Sequence, residues 1–390
     1  MTTALYTITS SLHSEVDEDV RNEKFIRDIE SALGYSFTFR GSDFSDYGKY
    51  PSNLIYVRTG GTEGLFKALG LKGRIRLLTS GRSNSLAASM EILSWLNANG
   101  QSGEILHGSA YYIAERIKGQ KHSESSAAGP VRPMPAIDLG GIRLGIIGKP
   151  SDWLISSDVD FAEAKNQLNA ELVEIPMDEL IGETRAAAGE TDLRSFDGSV
   201  AIYDALKAII GRYGLSGLTI RCFDLLESVH NTGCLALARL NAEGIPSSCE
   251  GDVPALLSMA AALKMTGKTG FQCNLSRING DELLFAHCTV PLDMVTSFRY
   301  DTHFESGIGT AIKGEIATGP ATIFKIAPDL KRCVMIPAEI VRNQSEPGLC
   351  RTQIIVRAYG ARDYLLKSPL ANHHIIVPGT SPAIFANSEI

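Results

Sequence analysis

No run of apolar residues in this 390-residue sequence approaches the roughly 18 that a membrane-spanning helix requires. Basic charge is also short: 37 Lys and Arg stand against 44 Asp and Glu, a formal net charge of -7. Surfaces that collect phosphate backbones cluster positive charge, so neither nucleic acid nor a membrane is an expected partner. There is no C-x-x-C pair, and the seven cysteines, Cys222, Cys234, Cys249, Cys273, Cys288, Cys333 and Cys350, are odd in number and confined to the second half. That speaks against a disulfide framework and for reduced thiols in a cytosol. The opening MTTALYTITSSLHSEVDEDV lacks a basic cluster followed by an apolar core, so no signal peptide is expected and a cytoplasmic location is. No internal repeat is strong enough to use.

What is present is the composition of an ordinary soluble globular protein, 44% hydrophobic and 21% charged, in a chain long enough for two or three domains. To about residue 120, short β-rich runs alternate with helical ones. Leu54-Ile55-Tyr56-Val57 precedes TGGTEG, and Arg74-Ile75-Arg76-Leu77-Leu78 precedes TSGRSNS and a helix through Leu96. Strand, turn and helix in repetition is the pattern of a parallel sheet. Gly119 to Gly141 is rich in Ser, Gly and Pro and reads as a linker. A second such segment, 139–278, runs through Arg143 to Gly148, Leu172 to Pro176 and Leu218 to Cys222. From 279 to 390 helical periodicity fades and β-branched runs dominate, as in Ala321 to Ile326, Cys333 to Ile336 and Thr352 to Val356. The expected architecture is α/β: two tandem Rossmann-like doubly wound parallel-sheet domains, then a C-terminal antiparallel β-barrel-like domain.

Within this frame the stretch SCEGDVP, Ser248 to Pro254, places two carboxylates at the start of a helix over Pro254 to Met265, whose apolar stripe includes Leu256, Ala260 and Leu263. Asp252 suits the N-cap, with Pro254 in the first turn. Glu250 is left free to face a crevice or solvent. If Gly270 to Leu275 is the next parallel strand, Glu250 and Asn274 lie at the carboxyl ends of neighbouring strands, where open α/β sheets bind ligands. Asp224, after Leu218 to Cys222, falls on the same rim. Asn279-Gly280 marks a tight hairpin returning through Leu283 to Val290. A loop of two residues, 279 and 280, sets His287 opposite Gln272, and a four-residue loop sets it opposite Asn274. Either register brings an imidazole to the rim, and carboxylate, amide oxygen and imidazole together suit Mn²⁺, Mg²⁺ or Zn²⁺.

Blander readings compete. Glu250 can be a solvated loop acid and His287 a satisfied sheet histidine. TGGTEG and TSGRSN match neither G-x-G-x-x-G nor a P-loop; their backbone N–H groups could hold an anion or a sugar hydroxyl, or the glycines could serve only as turns. Cys249, Cys273 and Cys288 flank the rim without a zinc-binding spacing and read as buried structural thiols. His303, in THFES, reads as a barrel-surface residue or a sugar contact.

CEGD opening a helix, FQCNL ending 24 residues beyond Glu250, LLFAHC, LANHHIIVPG, RLGIIGKPSDW, TIRCFD, TGGTEG and THFESGIG in this order resemble the L-fucose isomerase and L-arabinose isomerase superfamily. The resemblance spans all three segments. It implies two α/β domains and a barrel-like third, a homo-oligomer whose first domain closes over a neighbouring subunit's site, and aldose–ketose interconversion of a small-molecule sugar with a divalent metal, usually Mn²⁺. Carried over, Glu250 matches the first carboxylate ligand, Asn274 falls where the family has a second acid, His373 matches the C-terminal histidine ligand, and His287 the histidine some members use beside the metal. Glu250 and His287 are then the catalytic candidates, Glu250, Asn274 and His373 the metal ligands, and Asp252, Asp224 and His374 the sugar-facing residues. Since His373 and His374 are adjacent, a strand would point them to opposite faces.

Isomerisation moves a proton between C1 and C2 through a cis-enediol, so it needs a base at those carbons and something to hold the oxyanion, which a metal bridging O1 and O2 does. Asn274 departs from the pattern: an amide can lend its oxygen to a cation but cannot accept and return a proton. The sequence therefore supports two expectations, a metal-dependent sugar isomerase or a non-catalytic or altered-reaction sugar-binding relative with a weakened metal site.

Overall fold

The computed structural model describes residues 2–11, 20–119 and 130–386. Residues 12–19 of the opening segment and 120–129 of the expected linker lie outside them. The first unit is a five-stranded sheet in which Thr38–Gly41, Thr3–Ile8, Ser52–Val57, Ile75–Thr79 and Gly103–Leu106 lie side by side, all parallel. Alternate residues face opposite layers, as the strand period requires. Leu54 and Tyr56 pack with Ile26, Ile29 and Ile113 of the helices Lys24–Leu33 and Ala110–Ile117. Ile55 and Val57 pack with Leu86, Met90 and Leu93 of Ser85–Ala98. Helices thus cover both faces, and the strands are buried enough to read as near-continuous apolar runs.

A second parallel sheet orders Ser247–Ser248, Gly217–Ile220, Ile142–Ile147 and Ala170–Ile175. One face, with Leu144 and Ile146, meets Leu168 and the helix Val253–Thr266. The other, with Ile147, Leu218 and Ile220, meets Leu206 and Ile209 of Phe196–Tyr213.

The third unit is a closed antiparallel barrel of six strands. Gly319–Ile326, His374–Pro378, Phe271–Asn279, Glu282–His287, Thr352–Arg357 and Arg332–Gln344 follow one another round, and the last pairs back onto the first. Every strand sends apolar side chains to one shared core, including Cys273, Phe285, Ile323, Ile336, Ile354 and Ile376. Closure leaves no sheet edge except along Arg332–Gln344, where Val131–Pro133 pairs with Arg332 to Val334. The end of the expected linker is therefore a strand of the barrel sheet. A two-stranded hairpin, Val295–Asp301 with Ala311–Ile316, stands beside the barrel.

The structure corrects the sequence reading in one consequential place. Phe271–Asn279 is not the next parallel strand of the second sheet; it pairs antiparallel with Glu282–His287 and His374–Pro378 in the barrel. The hairpin register also differs from both alternatives. Asn279 pairs with Glu282 around Gly280-Asp281, and a bulge between Leu275 and Arg277 then sets Asn274 opposite Ala286. One unpaired residue in a strand shifts every partner beyond it, which spacing alone does not disclose.

Candidate metal centre and its cavity

Glu250 is placed by a strained turn. Its φ is 65°, in the left-handed region, and Gly251 follows at 69°. A Cβ on Gly251 would come within 2.5 Å of the Lys149 carbonyl oxygen, so the chain needs glycine there to press against the Lys149-Pro150 segment. A non-glycine residue held at such a φ costs on the order of 1 to 3 kcal/mol and points to a functional constraint. The turn aims the Glu250 carboxylate at two imidazoles: Oε1 lies 3.4 Å from His373 Nε2 and 3.9 Å from His287 Nε2. Its other oxygen accepts a 2.5 Å hydrogen bond from the Trp153 indole N–H.

Asp252 does not share that direction. Its Oδ1 accepts from the Ala255 N–H at 2.7 Å, capping Val253–Thr266 as the sequence predicts, and its Oδ2 lies 2.9 Å from His373 Nδ1. A carboxylate on one ring nitrogen fixes the orientation of the other. His373 Nε2, aimed at Glu250, is fully buried and has no hydrogen bond among the described residues. Lys325, also fully buried, donates to the His373 carbonyl at 2.7 Å. His287 Nδ1 is tied to Thr289 Oγ1 at 2.8 Å, which leaves its Nε2 for the centre.

These contacts set the charge states. Burial alone would raise the Glu250 carboxyl, but the charge of His373 and the hydrogen-bonding positions of His287 and His373 outweigh it and hold the group well below the usual carboxylate range. Burial opposes charge on His373, yet Glu250 and Asp252 on either side push it up to about 10. Glu250, His287 and His373 offer ligand atoms all within 4.8 Å of one another, a group that could hold a metal ion. The orphaned, buried Asn274 Oδ1 is a lone-pair donor left without a protein partner, and the orphaned His373 Nε2 becomes one when a cation displaces its proton.

Glu250 brings the centre to the edge of a cavity of about 490 Å³, which it lines together with Asn274. The fold explains its position. In the first sheet the strand order turns between Thr3–Ile8 and Ser52–Val57, and in the second between Ile142–Ile147 and Gly217–Ile220. Loops at the carboxyl ends of strands open a crevice at such switch points. Ser10, Gly60, Gly61 and Glu63 come from the first switch point and Trp153, Arg221, Phe223 and Asp224 from the second, and all line the same cavity. Asn84, Asn274, Glu305 and Asn372 complete much of the wall. A larger hollow of about 680 Å³, lined by Lys67, Asp160 and Lys331 among others, holds none of these residues.

Of the residues singled out from the sequence, the structure gathers Glu250, His287 and His373 at the centre and sets Asn274 and Asp224 beside Glu250 in the lining of the cavity. Asp224 accepts from Arg221 Nε at 3.0 Å, while Arg221 also grips Asp152 at 2.8 Å. Asp252 sits behind His373 rather than in the cavity. His374 does not reach it: its ring nitrogens meet Tyr364 Oη and the Asn372 carbonyl, both at 2.8 Å, and its ring lies 6.5 Å from Phe285. Burial, with Lys325 nearby, holds His374 down to about 3. His303 is half-buried, edge-on to Phe223 at 5.6 Å. All seven cysteines are free and buried, Cys222 and Cys249 with sulfurs 3.0 Å apart. TGGTEG and TSGRSN line the cavity through Gly60, Gly61, Glu63 and Asn84.

Sequence reasoning missed Trp153, Glu63, Glu91, Glu305 and Lys325. Only Trp153 carried a usable signal: it is one of two tryptophans, and a buried indole N–H must find an acceptor. The loops that deliver the others are brought together only by tertiary folding. No family model matches the chain, and a search of curated proteins finds no match either.

Proposed function

We propose that the protein is a metal-dependent sugar isomerase interconverting an aldose and a ketose through a cis-enediol, with Mn²⁺ as the ion. The observation that carries this reading is the conjunction of Glu250, His287 and His373 with orphaned acceptors, the amide oxygens of Asn84, Asn274 and Asn372, that line the adjoining cavity of about 490 Å³. Both parallel-sheet units are read as Rossmann-like domains in tandem, each presenting its switch point to the sugar. Glu250, His287, His373 and the Asn274 carbonyl oxygen would hold the ion, two imidazoles and two oxygens suiting a borderline divalent cation. When bound it would act as a Lewis acid on the sugar's carbonyl and neighbouring hydroxyl.

The chain's own residues do the rest. The Trp153 indole fixes one carboxylate oxygen of Glu250, so the other stays aimed at the imidazoles. Asp252 holds the His373 ring so that Nε2 faces Glu250. The amide oxygens of Asn84, Asn274 and Asn372, buried and without partners among the described residues, accept hydrogen bonds from sugar hydroxyls, and that of Asn274 can instead lend a lone pair to the ion. Trp153 and Phe223, in edge contact at 4.9 Å, exclude water on one side.

The second reading, a sugar-binding relative of altered or no reaction, rests on Asn274, which cannot return a proton. One experiment separates the two. Metal-stripped protein is incubated with a panel of free aldoses with and without Mn²⁺, and ketose is measured. Turnover restored by Mn²⁺ and abolished by Glu250→Gln supports the isomerase; sugar binding with no turnover under any divalent metal supports the alternative.

A further inference from the structure

We propose that Glu63, carried by the first α/β unit, is the catalytic residue that moves the proton between C1 and C2, doing from the lining of the same cavity what Asn274 cannot do. The inference rests on the isomerase reading above. Its foundation is that, of the carboxyl oxygens lining the cavity, Glu63 Oε2 alone among the described residues is both fully buried and without a hydrogen-bond partner. Glu250 has one oxygen bonded to Trp153 and the other facing His373 and His287, so it is committed as a ligand. Asp224 is bound by Arg221. Glu305 Oε1 accepts from the Asn84 side chain at 2.8 Å, and Glu227 is exposed to solvent. Glu63 is 2% exposed, lines the cavity, and keeps Oε2 without a hydrogen-bond partner among the described residues.

A buried carboxyl oxygen with no partner is destabilising, and sites retain such atoms where a ligand or reaction uses them. The loop is built to hold it. Gly60 packs so closely on Asn84 that a Cβ there would come within 2.9 Å of the Asn84 Cβ. The Thr62 hydroxyl donates to the Thr59 carbonyl at 3.0 Å just ahead of Glu63. Burial, with Glu91, Glu250 and Glu305 adding to it, raises the Glu63 carboxyl well above the usual range, which makes its ionised form an avid proton acceptor.

The step balances without a further reactant. The Glu63 carboxylate takes the C2 proton, the C2–H electron pair becomes the C1=C2 bond, and the carbonyl π pair moves onto O1. The O2 proton passes to O1. The O2 lone pair then forms C2=O, the C1=C2 pair takes the proton back from Glu63 at C1, and the carboxylate is restored.

The test uses the full-length, Mn²⁺-loaded protein, an aldose that the wild type converts, and its C2-deuterated form. Glu63→Gln is expected to lower kcat at least 100-fold and to stop deuterium leaving C2, with Mn²⁺ affinity and Tm unchanged. Glu63→Asp is expected to keep part of the rate and the rise of kcat/KM with pH that ionisation of the carboxyl produces. Wild type active and Glu63→Gln within a few-fold of it overturns the role of Glu63 alone. If Glu63→Gln does not fold, Glu63→Asp decides: a rate undiminished from the wild type overturns the role, since a carboxylate drawn back by one methylene cannot reach the same proton equally well. A wild type inert with every aldose and metal overturns the isomerase reading, and this inference with it.

Discussion

Asp252 and Glu250 stand two residues apart and do different work. The cap and the histidine contact of Asp252 use different oxygens, so two substitutions separate them. Asp252→Asn keeps an oxygen for the Ala255 N–H, and Asp252→Ala keeps neither. The alanine variant is expected to lose about 1 kcal/mol for the cap and a further 1 to 3 kcal/mol or so for the His373 N–H left unpaired, read by urea denaturation. Both variants are expected to bind Mn²⁺ about 10- to 100-fold more weakly, the usual effect of removing the partner that orients a histidine ligand. An asparagine variant with wild-type metal affinity would show that the ring needs no anchor. Asn274→Asp tests the other departure: a second carboxylate beside Glu250 is expected to tighten Mn²⁺ binding by about tenfold or more in a calorimetric titration, and no change would place Asn274 outside the ligand set. At this scale the sequence was legible where chemistry is local. The cap before an apolar helix and the acid beside it could be read directly; Glu63 could not, because nothing within a few residues of it announces its role.

Strands and helices were legible wherever one period dominated. The helix Val253–Thr266 has its cap, its proline in the first turn and its terminal Gly267 in the left-handed conformation, all visible in the sequence. The partner of Phe271–Asn279 was not, since an apolar strand after a helix pairs parallel or antiparallel with equal ease until the rest of the barrel is present. That strand is also where two units meet. The Ile278 N–H donates to His107 Nε2 at 3.0 Å, so Nε2 must lack a proton, and Nδ1, 2.7 Å from Thr79 Oγ1, carries it. The contact requires a neutral ring. Burial, helped by Arg362 and Arg277, pushes His107 down to about 3. Below its ordinary value near 6.5 the unfolded chain binds a proton that the folded chain refuses, so this contribution to stability is complete above about pH 6.5 and is lost as pH falls toward 3. His107→Gln, which can still accept from Ile278, is expected to show a shallower loss of stability than wild type across that window in denaturant titrations at several pH values. Parallel curves would mean that His107 is charged in the folded protein or contributes nothing.

The three units close on one another around a single buried acid. Glu91, on Ser85–Ala98 of the first unit, accepts from the Ser156 N–H at 2.7 Å and the Ser157 hydroxyl at 3.1 Å in the second. Its other oxygen accepts from the Asn372 N–H at 2.8 Å, one residue before His373 and beside the barrel strand His374–Pro378. Ser94, one turn along the same helix, repeats the bridge to Ser156 and Ala371. No stretch of sequence around Glu91 hints at this, because each partner belongs to a different unit. Glu91→Ala leaves two N–H groups and a hydroxyl without their acceptor, an expected loss of about 3 kcal/mol or more, and frees the segment that carries His373, so Mn²⁺ affinity should fall with it. Glu91→Gln keeps one acceptor oxygen, sets an amide N–H against a donor, and should fall between. The pH response has the opposite sign to that of His107. Burial pushes Glu91 up to about 7 even though Lys325 opposes it, so its contribution is complete below the ordinary glutamate value near 4.3 and declines as pH rises to about 7. The stability difference between wild type and Glu91→Gln should therefore shrink across that interval. A difference constant with pH would mean that folding does not raise the Glu91 carboxyl, and a Glu91→Ala protein that binds Mn²⁺ as the wild type does would mean that the metal centre is set by the second unit and the barrel without the first.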